Sequence, residues 1–266
     1  MTENNIRTSC ANCGQEITEN FCSNCGQKKY KRIDRKYLVD ELQYTVLHTN
    51  KGFFYTIKNL IKNPGKTARE FVDGNRVNHY KPILLAFVLA GITTFLAFKV
   101  IGMNVAIDFF EVKYKNDNFM SEFWTKYMYY MSKYFTVITM LGIPFVALGS
   151  YFSFKKWKHN YYEHFILMAF AYSTNAIFTV LFLYPIYYLA KDNYLAFMII
   201  SQIGSLFSIG VLFWFYKGFY AEKSVGDVIV RLILMMGLLF VFLIIVSIGL
   251  GIAYGAYLVK TGQFTQ

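Results

Sequence analysis

The residues best able to do chemistry in this chain are its four cysteines, Cys10, Cys13, Cys22 and Cys25, gathered in the stretch CANCGQEITENFCSNC. Tetrahedral zinc needs four converging thiolates, and one tight C-x-x-C turn supplies two of them. Gly14 and Gly26, each directly after a pair, let backbone amides turn toward the sulfurs without a Cβ in the way. The spacing predicts a small zinc ribbon over residues 1–30. All four ligand positions are taken by protein and none is left for water, so the zinc is structural. Two disulfides, a redox C-x-x-C or rubredoxin-like iron would use the same side chains. The lack of a βαβ pattern and a reducing compartment, argued below, speak against the first two; iron would need a redox partner that the sequence does not suggest. A ribbon this short builds no core of its own, so metal binding supplies most of its folding energy.

What must position this module is a membrane. Of 266 residues, 55% are hydrophobic, 20% aromatic and only 16% charged, against about 25% charged in soluble domains. Five apolar stretches reach a spanning length of roughly 20 residues: Ile83 to about Met103, interrupted at Lys99, then Tyr134–Phe154, Phe165–Ala190, Tyr194 to about Tyr216, and Leu232–Val259. Only Lys191, Asp192 and Asn193 separate the third from the fourth, which makes a tight helical hairpin. The predicted fold class is an all-α membrane bundle of about five transmembrane helices over residues 83–266. Before it come the four-cysteine zinc ribbon and a basic juxtamembrane region, residues 31–82, with an interfacial amphipathic helix.

The formal charge is +11, and about half of the basic side chains precede residue 82. Lys155, Lys156 and Lys158 fill the second connection, and Lys217, Lys223 and Arg231 the fourth. The positive-inside bias places these three segments in the cytoplasm. The first connection, about Lys99–Lys133, mixes Asp108, Glu111, Asp117 and Glu122 with Lys113, Lys115, Lys126 and Lys133. It falls outside, with the third connection and the tail beyond Lys260. Residues 1–30 carry no apolar core of a cleavable signal peptide. The expected location is a bacterial cytoplasmic (inner) membrane, multi-pass, with the N-terminus in the cytoplasm.

Between ribbon and first span, Phe53, Phe54, Ile57, Leu60 and Ile61 recur at helical spacing while Lys51, Lys58 and Lys62 fall toward the other side. That is the pattern of a helix lying in the interface, or of one packed on the bundle. Asn63-Pro64 then restarts a helix that Asp73-Gly74 ends, and Pro82 opens the first span, where its missing amide proton costs little. The stretch KKYKRIDRK suits anionic lipid headgroups so close to a bilayer, and phosphate contacts in general. For the ribbon, contact with a protein partner ranks first, orientation toward lipid second and nucleic acid third.

The paired C-x-x-C-G knuckles, followed by NPGKTAREFVDGNRVNHYKPILLAF, resemble a bacterial family of zinc-ribbon, multi-span membrane proteins of Bacteroidota type, catalogued as a domain of unknown function. The resemblance covers about the first third of the chain. It implies the four cysteines as metal ligands and a signature carried here by Pro64-Gly65, Gly74-Asn75-Arg76 and Tyr80-Lys81-Pro82. No activity comes with it. Arg76, His79, Tyr80 and Lys81 stand where the first span begins; arginine binds phosphate bidentately and tyrosine favours the headgroup level. These four read either as a phospholipid-headgroup site or as a positive-inside anchor.

Enzymatic chemistry is not expected. The predicted spans carry no ionisable side chain except near their ends, and intramembrane ionisable groups usually mark proton relays or catalysis. His159, Glu163 and His164 lack the H-E-x-x-H spacing and read as part of a solvated, cationic loop. Ser173, Thr174 and Asn175 in the third span, and Ser201, Gln202, Ser205 and Ser208 in the fourth, are expected to face each other across the hairpin. They serve there as packing contacts, or as a narrow polar pathway with Pro144 and Pro185 opening backbone carbonyls. Two readings of function follow. One is a non-catalytic integral membrane adaptor or accessory subunit of a membrane complex, docking a membrane-protein partner through its ribbon. The other is a small transporter or lipid-handling protein that uses the polar face.

Overall fold

The computed structural model describes residues 9–29, 32–35, 37, 52–102 and 118–260. Lys31, Lys36, Lys51, the charged residues of 103–117 and the tail beyond Lys260, all used in the charge argument, lie outside the described residues. Of the helices with described bounds, the first two are short, α1 (Phe53–Lys62) and α2 (Pro64–Val72). Asn63 joins them: its side chain accepts from the Lys66 amide, and Pro64 takes the first turn of α2, where no N–H is needed. Gly74, at φ +114°, turns the chain after α2 in a conformation that suits glycine. The apolar face of α1 divides. Thr56 and Leu60 are buried against the bundle, whereas Phe54, 81% exposed, and Ile61 point away from it.

The remaining helices are α3 (Pro82–Phe95), continued by a π turn to Ile101, α4 (Asn118–Phe154), α5 (Tyr161–Phe178), continued by a π turn (Thr179–Leu183) into α6 (Tyr184–Leu189), α7 (Tyr194–Phe219) and α8 (Val225–Lys260). Among the described residues, five stretches are long and apolar enough to cross a membrane: Pro82–Ile101, Thr125–Trp157, Tyr161–Leu189, Tyr194–Phe219 and Val225–Gly249. The chain thus has the build of a multi-pass membrane protein, an all-α bundle with a cluster of four cysteines near its N-terminus. Among the described residues, extended pairing is confined to two isolated bridges in the ribbon, Ser9 with Glu16 and Phe21 with Lys28.

Several boundaries differ from the sequence reading, each for a local reason. The connection expected up to Lys133 is already helical from Asn118, because isolated lysines interrupt a hydropathy pattern without breaking a helix. There Lys133 lies over the rings of Tyr129 and Tyr134, at 5.6 and 5.3 Å. The third span starts at Tyr161 instead of Phe165, nucleated by a capping box in which Asn160 and Glu163 satisfy each other's amides. The fifth span, α8, starts at Val225, so Arg231 belongs to its second turn and not to a loop.

Helix α5 is the centre of the bundle. Of its apolar stretch 61% is buried, against 17% for each of the last two spans, and it packs on α3, α4, α7 and α2. The main core gathers at the end where the ribbon lies: Ile33, Leu60, Phe71, Phe154, Phe170, Phe215, Tyr216 and Val228 all belong to it. Helix α2 crosses the last turn of α7 there with backbones in contact. A Cβ on Gly65 would overlap the Phe215 carbonyl and the Phe219 amide, and one on Gly218 would come within 3.2 Å of the Gly65 Cα.

Candidate metal centre and the turn that carries it

Each knuckle is a small closed loop. In the first, the Cys10 amide donates to the Gln15 carbonyl and the Gly14 amide to the Cys10 carbonyl; in the second, Cys22 pairs with Gln27 and Gly26 with Cys22 in the same way. Gly14 and Gly26 have φ of +77° and +73°, so both turns need the conformation that glycine supplies. The four sulfurs lie within 4.8 Å of one another, with Cys10 to Cys25 at 3.6 Å and Cys13 to Cys22 at 3.5 Å. A tetrahedral ion with metal–sulfur bonds of about 2.3 Å sets its ligands roughly 3.8 Å apart; a disulfide needs about 2.05 Å. The donor set fits a metal ion and excludes the disulfide pairing in this structure. A side-chain hydrogen bond to Asn12 lowers the Cys25 thiol, while burial raises its close neighbour Cys10.

The ribbon sits on the turn between α2 and α3, residues 73–81. Gln27, two residues after the last cysteine, is buried and accepts from the amides of Arg76 at 3.0 Å and Val77 at 2.8 Å. Asn78 donates to Asn12 at 3.1 Å. Helix α1 reads the same turn from the other side: the Tyr80 amide donates to Thr56 Oγ1 at 2.7 Å, and a Cβ on Gly52 would strike the backbone of Asn78 to Tyr80. The Arg76 guanidinium donates to the Phe71 and Val72 carbonyls and stacks on Tyr37. It thus answers the open carbonyls and the negative end of α2. His79 is 5% exposed, packed edge-on to Tyr55 and Phe71, with no hydrogen-bond partner for either ring nitrogen among the described residues. Burial pulls its pKa down to about 4. The Arg76 guanidinium, the His79 ring and the Tyr80 amide are therefore engaged within the fold, and Lys81 takes the N-cap position of α3. The signature residues Pro64-Gly65, Gly74, Arg76, Tyr80 and Pro82 all have structural work here.

A second polar cluster lies behind this turn, where the sequence reading expects a solvated loop. That expectation is corrected: Glu163 is 4% exposed and His164 fully buried. Arg32 donates to both Glu163 oxygens, at 2.9 and 3.1 Å, and to the Lys158 carbonyl. Asn160 donates to the Ile33 carbonyl. These bonds return the N-terminal segment to the start of α5 and close the loop over. Deeper in, Ser150 Oγ lies 2.8 Å from His164 Nδ1 and 2.6 Å from the Tyr216 hydroxyl. The arrangement that uses every proton runs from His164 Nδ1–H to Ser150, from Ser150 to Tyr216, and from Tyr216 to the Met235 sulfur at 3.4 Å. His159 joins at the edge, 3.4 Å from the Tyr220 hydroxyl, its pKa lowered by burial. The cluster ties α4, α5, α7 and α8 together. No motif announces it, because its members come from five separate segments of the chain, the N-terminal one included.

The polar face of the hairpin is not enclosed. Gln202 and Ser205 are exposed, and Ser201 and Ser205 donate to carbonyls of their own helix, Met198 and Ser201. Gly204 is the residue that meets the facing helices, against Leu183 and Tyr187. Asn175 is half-buried on α5, its side-chain oxygen unpaired among the described residues. The cross-hairpin pairing of Asn175 with Ser201, Gln202, Ser205 and Ser208 is corrected: side-chain period placed these residues on one helix face but could not say which face packs. At the far end, an apolar cleft of about 410 Å³ lies between the two π turns, lined by Leu96, Val100, Ile101, Val180, Tyr184 and Pro185 among others.

Residues 50–94, which comprise α1, α2, the turn after it and most of α3, match a family described as Protein of unknown function (DUF3667); no curated protein and no solved structure matches the chain.

Proposed function

We propose that the protein is a non-catalytic membrane adaptor, or accessory subunit of a membrane complex, whose ribbon holds zinc and docks a partner protein. In this reading the ribbon faces the cytoplasm of a bacterial cell from the inner membrane, and the exposed Lys58, Lys62, Lys66, Lys155 and Lys156 around it meet anionic headgroups. The observation that carries the proposal is the two-sidedness of the ribbon. One side is clamped to the turn between α2 and α3 through Gln27 and Asn12, while Phe21 stands 58% exposed on a knuckle flanked by exposed Glu16 and Glu19. An aromatic held out on a rigid mount is the usual anchor of a protein interface. The test is Phe21→Asp in the full chain, purified from native membranes after crosslinking. Membrane insertion and about one zinc per chain are retained, and a co-purifying protein is lost; recovery of the same protein with the variant rejects the docking role.

A further inference from the structure

On α7 the residues Leu195, Met198, Gln202, Ser205 and Ile209 all face outward, Leu195 at 69% exposure. Their spacing is 3, 4, 3 and 4, the heptad seam along which two helices pack with a left-handed crossing. Four of the five positions suit lipid as well as another helix. Gln202 does not. It lies about 12 Å along α7 from Tyr194, at 1.5 Å per residue, well inside a hydrocarbon layer of about 30 Å. Its carboxamide has no hydrogen-bond partner among the described residues. In hydrocarbon no water supplies one, and an unpaired amide there is costly. The small Ser205 one step along the seam lets a second backbone approach, and its own hydroxyl is already bonded to Ser201.

We infer that this seam pairs two copies of the chain, α7 against α7, about a two-fold axis along the membrane normal. The occupant follows from the chemistry of the side chain and the constraint of the membrane. All copies of a chain inserted with one topology run parallel, so a symmetric α7 pair brings each residue of the seam opposite its own counterpart at the same depth. A carboxamide is both donor and acceptor, so two Gln202 side chains satisfy each other across the axis. A single polar residue at such a seam position also fixes register and number of strands. The glutamine is thus the specificity element, with Met198 in the layer before it and Ile209 in the layer beyond Ser205.

The experiment uses the full chain with a fluorescent C-terminal tag, diluted in vesicles of neutral phospholipid and counted by single-molecule photobleaching. The parent bleaches in two steps over a range of dilution. Gln202→Leu, a change on an exposed face that leaves the monomer folded, weakens association roughly five- to thirtyfold; Gln202→Asn, which keeps the carboxamide, retains more of it than leucine does. In native membranes Ser205→Cys forms a crosslink between copies under oxidation and Ile203→Cys, 58% exposed but set about 120° around the helix from the seam, does not, with the parent as control for the ribbon thiols. A parent that is monomeric at every dilution overturns the inference. So does a dimer indifferent to Gln202→Leu, or a Ser205→Cys crosslink to a different protein in place of a second copy.

Discussion

At the ribbon end, Ser150, His164 and Tyr216 are shut away and hydrogen-bonded in series, and Gly65 and Gly218 bring two backbones together. Toward the other end the same long helices present Leu141, Leu195, Ile203, Phe240 and Ile245 outward, and α8 carries Gly249 and Gly251 with open space around them. Lipid tails are as apolar as leucine, so burying leucine against leucine within a bilayer gains little. The helices are held together where polar groups and bare backbone meet, and this is also where the four-cysteine cluster rests. The contrast teaches where this bundle is specified. Its ribbon end is a fitted assembly, and its far end turns mostly apolar side chains outward.

The largest expected effect opposes one glycine from each region. Gly65→Ala places a methyl group into the backbone of α7, which has no flexible atom to move aside, and should destabilise the protein by about 3 kcal/mol. Gly249→Ala meets nothing within 4 Å and should be neutral, or stabilising by up to about 1 kcal/mol through helix propensity. Thermal unfolding in detergent compares them; equal losses would erase the distinction between the two ends.

Acid should act on the ribbon end first. His79 is held at a pKa of about 4, against an ordinary 6.5, by burial between neutral rings. Because the folded value is depressed, the unfolded chain takes up the proton first. The native state keeps its full advantage above about pH 6.5 and loses it as pH falls toward 4. Moving from pH 7.5 to 5 should therefore cost about 2 kcal/mol. His79→Phe, which asks for no hydrogen bond, should remove that share of the slope and leave the part due to His159, whose pKa burial also lowers. A melting temperature with the same pH dependence in both proteins would remove His79 as its cause.

The smallest effect sharpens the tie between metal and membrane. Removing the proposed zinc with a chelator should free the knuckle that positions Gln27, so that the Arg76 and Val77 amides lose their acceptor. Because Val77 is exposed, water recovers part of the loss, so Gln27→Ala should cost only about 1 kcal/mol. Amide hydrogen exchange reads it directly. Protection at Arg76 and Val77 falls with chelator and with Gln27→Ala, while that of α8 beyond Phe242 is unchanged. Unaltered protection at the two amides would mean that ribbon and bundle are independent.

Much of this was open to reading in the chain. C-x-x-C turns are local, and glycine after each pair is a backbone requirement, so the four cysteines meet where their spacing says they must. Pro64 and Pro82 open helices because proline tolerates little else there. The harder residues are those whose chemistry permits two uses. Arg76 is equally good at a phosphate and at a helix end, and the structure employs it on Phe71 and Val72. His159, Glu163 and His164 look solvated in a lysine-rich segment; the partner that buries Glu163 is Arg32, more than a hundred residues away.

Composition and spacing by themselves determined the membrane-spanning character, the number of spans, the cysteine cluster and the proline-marked starts of α2 and α3, because each depends on residues close to one another along the chain. Tertiary structure alone decided which faces are enclosed. Periodicity puts Ser201, Gln202, Ser205 and Ser208 near one side of a helix but carries no information about what stands opposite. That is set by where α2 crosses α7 through Gly65 and Gly218 and where Arg32 meets Glu163, contacts between residues that only the folded chain brings together.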